Sequence, residues 1–132
     1  MSQADRRYTK SHEWIRTEGK IAYVGISDHA QKEVTDVVYV EIPKTGKTLK
    51  AGEEATTLES VKAAFSIYAP VSGTLVKANA DLEKDPGLIN RSPFEKGWIF
   101  AIEMSNPADV EGLMTEEQYQ AFLKSPEAAG HH

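Results

Sequence analysis

Hydrophobic and polar positions alternate with a period of two over much of this chain, the signature of half-buried strands. From Glu13 to Glu18, Trp14 and Arg16 fall on one side and Ile15 and Thr17 on the other, and the run ends at Gly19. Ile21 to Ile26 resumes with β-rich residues, so residues 13–26 predict a hairpin. Ser27 is placed to cap a short helix over Asp28–Val34, with Asp28 in its first turn. Val37, Val38, Tyr39 and Val40 form a continuous apolar run, which predicts a strand buried on both faces. Pro43 to Gly46 reads as a turn. Further strands are expected at 54–60, 63–68, 73–79 and 97–104, the last presenting Trp98, Phe100, Ile102 and Met104 on one face.

The end of the chain changes period. Thr115 and Gln118 bracket a capping box, Met114 and Tyr119 are placed as its hydrophobic staple, and Tyr119, Phe122 and Leu123 give one apolar helical face. Lys124 is expected in the last turn, with Pro126 after the stop. Pro43, Gly46, Lys50 and Ala51 are echoed in spacing by Pro70, Gly73, Lys77 and Ala78, as a quasi-two-fold sandwich would require. Residues 57–73 are ambiguous. Leu58, Val61, Phe65 and Tyr68 fall at helical spacing, whereas a hairpin would need a tight turn at Val61-Lys62, where Asn-Gly is the usual chemistry. The pattern alone leaves both readings open.

Length and composition narrow the class. A chain of 132 residues, 40% hydrophobic and 27% charged, is expected to form one globular domain over 1–125, with 126–132 a flexible tail. It contains no cysteine, which removes disulfides, thiolate zinc sites and cysteine nucleophiles and suits a reducing compartment. Fifteen basic against twenty acidic residues make the body anionic, unsuited to a nucleic-acid partner. No apolar run is long enough for a membrane span, and the first residues lack the apolar core of a signal peptide, so an intracellular protein is expected.

Catalytic motifs fail on inspection. Gly46-Lys47-Thr48 ends like a phosphate loop, but Glu41 stands where its first glycine belongs. His12 and Glu13 begin like a zinc-protease motif, but Arg16 replaces the second histidine. His12 and His29 are read as packing or surface residues, and no nucleophile elbow is present. The residues offer no catalytic constellation, and no metal site is expected.

One further pattern carries chemistry. Glu59-Ser60-Val61-Lys62-Ala63-Ala64, followed by Tyr68-Ala69-Pro70-Val71-Ser72-Gly73, resembles the lipoyl-lysine motif of the glycine cleavage system H protein family. Tyr8 to Trp14 resembles that family's opening, and Val24 to Gln31 its second block. Pro86 to Asn90, Ser92-Pro93 and Gly97-Trp98 resemble its later ones. The matches run in order over about residues 8–124.

The resemblance implies a mainly β, lipoyl/biotinyl-type sandwich (a barrel-sandwich hybrid) with short helices and a C-terminal helix, and it selects the hairpin with Lys62 at its tip. It implies a carrier rather than an enzyme. Lipoate would be joined to Lys62 by an amide, and Glu59 would help lipoylating enzymes recognise the hairpin. Gly52 and Gly73 match the turn glycines near it. Ser11, Glu13 and Ser66 match the groove that shelters the arm, and His29 lies near the same region by resemblance. The implied partners are glycine decarboxylase with its pyridoxal phosphate, a tetrahydrofolate-dependent aminomethyltransferase and dihydrolipoamide dehydrogenase. The implied state is a monomer in a bacterial cytoplasm, ahead of a mitochondrial matrix. The absence of cysteine fits a carrier whose dithiolane a neighbouring thiolate could attack.

Three positions depart from the family pattern. Thr35 stands where glycine is usual, and Phe65 and Ser66 replace a serine and an acidic residue after the lysine. With Ser66, Glu13 is expected to remain the groove's one carboxylate. These departures keep open an H-protein-like lipoyl carrier for another pathway, such as sulfur metabolism. A third reading, a β-sandwich interaction module without a prosthetic group, is separated from both by intact mass.

Overall fold

The computed structural model of the chain describes residues 6–124. The expectations for 126–132, including Pro126, lie outside the described residues.

Two open sheets face each other. The larger has seven strands: β1 (Arg7–Tyr8), β2 (Glu13–Glu18), β3 (Ile21–Ile26), β5 (Thr48–Leu49), β8 (Gly73–Ala78), β9 (Phe100–Met104) and β10 (Met114–Thr115), in the order β10-β1-β2-β3-β9-β8-β5. The smaller has three: β4 (Val37–Val40), β6 (Glu54–Ser60) and β7 (Ala64–Tyr68), in that order. All the pairings are antiparallel. The main core lies between the sheets, where Ile15, Val24 and Ile102 of the larger meet Val40, Leu58 and Ile67 of the smaller. A second cluster, with Tyr8, Trp14, Tyr119 and Phe122 buried, forms where α4 (Glu116–Leu123) packs beside β1. Trp14 and Ile15 thus enter different clusters, as the period-two reading of β2 requires.

Local rules explain most element ends. Ser27 Oγ accepts the Ala30 amide at 3.1 Å and starts α1 (Asp28–Val34). Thr115 and Gln118 close the expected capping box, and Met114 packs in the same cluster as Tyr119. Lys124 is the C-cap of α4 rather than a residue of its last turn. The two echoed segments lie side by side, Thr48 opposite Thr74 and Leu49 opposite Gly73. The short helices α2 (Asp81–Lys84), α3 (Leu88–Arg91) and a 3-10 turn (Pro107–Gly112) fill the connections.

Three expectations fail for identifiable reasons. β4 is not buried on both faces: Val38 and Tyr39 are about half exposed, because β4 is the edge of the smaller sheet and a bulge between Val37 and Tyr39 breaks its alternation. The last long strand begins at Phe100 rather than 97, since the Asn79 side-chain amide donates to the carbonyls of Lys96 and Trp98 and holds that segment out of the ladder. Trp98 consequently leaves the face shared by Phe100, Ile102 and Met104 and packs edge-on to Tyr23. Gly73 is not a turn glycine. It is the first residue of β8, and a Cβ there would lie 2.1 Å from the Glu103 carbonyl oxygen, so its hydrogen permits close approach to β9.

Candidate functional site: the hairpin tip

Residues 57–68 form the hairpin and not the helix. β6 and β7 pair from Glu54–Tyr68 to Glu59–Ala64, leaving 61–63 as the connection and Lys62 at its centre. The turn has neither glycine nor asparagine, and none of its residues has positive φ. Ser60 supplies what is missing. Its hydroxyl accepts the amides of Lys62 at 3.1 Å and Ala63 at 3.2 Å, while its own amide donates to the Ala63 carbonyl at 2.8 Å. A buried serine thus does the work of turn residues by bonding local backbone. Ser60 escaped the sequence reading as a structural element; the signal was a serine two residues before a tip lacking turn chemistry.

Neighbouring elements fix the tip's direction. The Val61 amide donates to the Asp36 carbonyl at 3.0 Å, and Lys62 Nζ donates to the Glu33 carbonyl at 3.2 Å. Both acceptors lie at the end of α1, which Ser27 starts and Asn90 buttresses by bonding the Val37 amide and the Thr35 carbonyl. Lys62 is exposed and Val61 is 68% exposed. Among the described residues no carboxylate lies within ion-pair distance of Nζ. Glu59, exposed, sits between Tyr39 and Ala64 at the last rung before the turn. His29 approaches Glu33 at 3.8 Å and its ring lies 4.8 Å from that of His12, tilted by 39°, so it shares the α1 region beside the tip.

The other expected positions divide. Glu13 is 1% exposed. Its Oε1 accepts Ser11 Oγ at 2.5 Å and Thr9 Oγ1 at 2.6 Å, and its Oε2 accepts the Tyr68 amide at 3.2 Å. Burial pushes its carboxyl above the ordinary value, and the hydroxyl and amide donors offset this in part. Glu13 therefore links β2 of the larger sheet to β7 of the smaller, beneath an exposed Ser11. Ser66 is not grouped with them by any hydrogen bond: its hydroxyl donates to Glu54 across the hairpin. Glu54 is thus the carboxylate that stands beside position 66. Gly52, at φ +90°, sits in the turn before β6, its amide donating to the Ala69 carbonyl at 2.8 Å.

Such an arrangement presents one exposed amine on a hairpin whose turn Ser60 organises and whose tip α1 contacts. Among the described residues no group of three His, Asp or Glu could hold a metal, and no helix is long and apolar enough to cross a membrane.

A family model described as Glycine cleavage H-protein matches residues 6–126. This chain belongs to the glycine cleavage H-protein family. It is 50% identical over 120 residues to the glycine cleavage system H protein of Acinetobacter baumannii, covering 91% of this chain and 97% of that protein. It is 49% identical over 122 residues to a mitochondrial H protein of Drosophila melanogaster, covering 92% and 74%. A crystal structure of an H protein from Mycobacterium marinum superposes with a TM-score of 0.82 at 33% identity, over 90% of this chain and 96% of that one. The H-protein fold is the one described above: mainly β, two unclosed sheets, short helices and a C-terminal helix. The family contributes a lipoyl carrier component to glycine cleavage, not a catalyst.

Proposed function

We propose that Lys62 is the lipoyl-bearing residue of this H protein. The carrying observation is the tip itself: an exposed amine centred in a connection that Ser60 locks and α1 braces. The residues fit the group. Acylating Nζ removes its charge but strands no carboxylate, and the amide keeps one N–H for the Glu33 carbonyl. Glu59, exposed one rung below the turn, is placed for lipoylating enzymes to read.

Bound there, lipoate would supply a dithiolane as a reversible sulfur carrier for the aminomethyl group of glycine, and the partners expected to load it, unload it and return the dithiol to the disulfide are glycine decarboxylase, a tetrahydrofolate-dependent aminomethyltransferase and dihydrolipoamide dehydrogenase. The chain's own part is presentation. A hairpin tip can enter successive active sites, whereas a lysine on a flat sheet face could not. Ser11 in the turn before β2, with Glu54 and Ser66 on the hairpin, are the exposed polar positions available to receive the far end of the arm, and Glu13 lies buried beneath Ser11. A reducing compartment such as a bacterial cytoplasm suits a dithiol carrier that lacks cysteine.

The test is peptide-level mass at Lys62 after co-expression with a lipoylating enzyme. The expected result is a lipoyl mass there, absent in Lys62→Arg, which keeps the charge but offers no acylable amine. Lipoyl mass on the Arg variant, or at another lysine of the parent, would overturn the assignment.

A further inference from the structure

The face of the larger sheet that carries Arg6 and Arg16 has a feature the hairpin tip does not explain. Arg7 pairs with Ile15 and Tyr8 with Trp14, and continuing that register one residue beyond β1 sets Arg6 across from Arg16. Directly opposed residues share a sheet face, and like charges there repel. Both arginines line one cleft of about 610 Å³. Arg6 is only 6% exposed, and among the described residues no carboxylate lies within ion-pair distance of it. Its Nη1 and the Nε of Arg16 are buried donors without an acceptor. The Arg6 guanidinium also faces the Tyr8 hydroxyl, which donates to Glu116 at 2.5 Å, so its charge is compensated only in part.

Aromatic faces hold both groups in place. The Arg6 guanidinium lies 4.1 Å from the centre of the Phe94 ring, and that of Arg16 lies 4.7 Å from Tyr23. Phe94 and Trp98, both part-buried, form an apolar wall of the same cleft. Arg16 touches one acid, Glu18, at 3.4 Å through Nη2, which leaves Nε unserved. The acids that line the cleft, Asp81 and Glu95, are exposed and lie beyond ion-pair distance of either arginine. The cleft therefore has a cationic floor and an aromatic wall. None of Glu33, Asp36, Ser60 or Lys62 lines it.

We propose that this cleft binds a small organic anion, with its carboxylate or phosphate between Arg6 and Arg16 and its apolar body against Phe94 and Trp98. The anion would offset the two like charges at the floor of the cleft, and the wall would favour a flat apolar substituent over none.

The probes are benzoate, phenyl phosphate, acetate and benzylamine, added to the lipoylated full chain while NMR follows the Trp98 indole N–H and the Arg16 Nε–H. The expected result is a saturable shift of both signals with benzoate or phenyl phosphate, whichever binds tighter naming the anion class. Affinity should be about tenfold tighter than for acetate, should weaken with salt, and should be absent for benzylamine. Arg16→Met should weaken binding at least about tenfold, which is the fold-change of one lost charged contact. Arg6→Met should do the same; since its buried side chain also packs, Arg6→Lys serves as a second variant that keeps the charge but loses the fork, and partial binding is expected there. No saturable shift with any anion, benzylamine binding as well as benzoate, or binding unchanged in Arg16→Met would overturn the proposal. Lipoylation of Lys62 is read separately by mass and does not bear on the outcome.

Discussion

The hydroxyl of Ser60 accepts the backbone amide of Lys62 at 3.1 Å, so the turn that displays the amine is organised by a side chain two residues away from it. Replacing Ser60 by alanine leaves two amides, those of Lys62 and Ala63, without that acceptor. The expected loss is about 1–2 kcal/mol in chemical denaturation. Amide exchange at Lys62 and Ala63 should accelerate more than exchange in the β2–β3 hairpin, and the lipoylating enzyme should show a raised KM with little change in kcat. Ser60→Thr keeps the acceptor and should restore most of both. An alanine variant with parental exchange at the tip would show that the pairing of β6 with β7 suffices to hold the turn.

The two glycines near the hairpin should behave differently. Gly52 has φ +90° with open space where a Cβ would stand, so alanine there is strained but not crowded, and a loss of about 1 kcal/mol is expected. At Gly73 a Cβ would meet the Glu103 carbonyl oxygen at 2.1 Å and Ile102 Cγ2 at 2.6 Å. Backbone cannot yield as a side-chain tip can, so Gly73→Ala should lose about 2–4 kcal/mol and disturb the β8–β9 pairing. Equal midpoints for the two variants in urea would contradict this account.

Much of this was legible in the sequence where one local rule governs one element. Ser27 and the Thr115–Gln118 box each cap a helix by bonding amides three residues on, and both helices start where they were expected. The hairpin at 57–68 was not legible from periodicity, because Leu58, Val61, Phe65 and Tyr68 satisfy a helical stripe as well as a strand pattern. Only the family resemblance decided it. Val38 and Tyr39 misled because an apolar run cannot report that its strand lies at a sheet edge with a bulge. Gly73 misled because a glycine near a turn signal can equally mark a close approach. The Arg6–Arg16 pair was invisible, since β1 is two residues long and its register exists only in three dimensions.

Glu13 gives a dependence on pH with a definite sign. Burial raises its carboxyl above the ordinary value of 4.5, so between that value and its raised one the folded chain binds more protons than the unfolded chain. Its contribution to stability is fullest below the unfolded value and is lost as pH rises through the folded one. Glu13→Gln does not titrate. The stability of the parent relative to Glu13→Gln should therefore fall from about pH 4 upward and level off once Glu13 is ionised in both states. Urea denaturation of both proteins across that range measures it. A relative stability that rises with pH would mean that the Ser11, Thr9 and Tyr68 donors outweigh desolvation.

Thr35 holds a strained backbone conformation, and it lies one residue from the contact that braces the tip. Its φ is +64° and its ψ −151°, a region that glycine occupies and β-branched residues avoid. The surroundings enforce it. The Thr35 amide donates to the Gln31 carbonyl at 3.1 Å, its carbonyl accepts Asn90 Nδ2 at 2.7 Å, and its hydroxyl donates to the Val34 carbonyl at 2.5 Å. The next residue, Asp36, offers its carbonyl to the Val61 amide. Holding a threonine there costs about 1–3 kcal/mol. Glycine would relieve that strain while adding about 0.5–1 kcal/mol of chain entropy to the unfolded state. Thr35→Gly should therefore stabilise the fold by about 1 kcal/mol, visible as a higher urea midpoint at unchanged slope. Thr35→Ala separates the causes: it loses the hydroxyl bond but keeps the Cβ, so it should gain nothing. Lipoylation of Lys62 should be unaffected by either, since the Asp36 carbonyl stays in place. A Thr35→Gly chain less stable than the parent would mean that the hydroxyl bond to Val34 outweighs the backbone strain, and that the loop after α1 is held by its side chain.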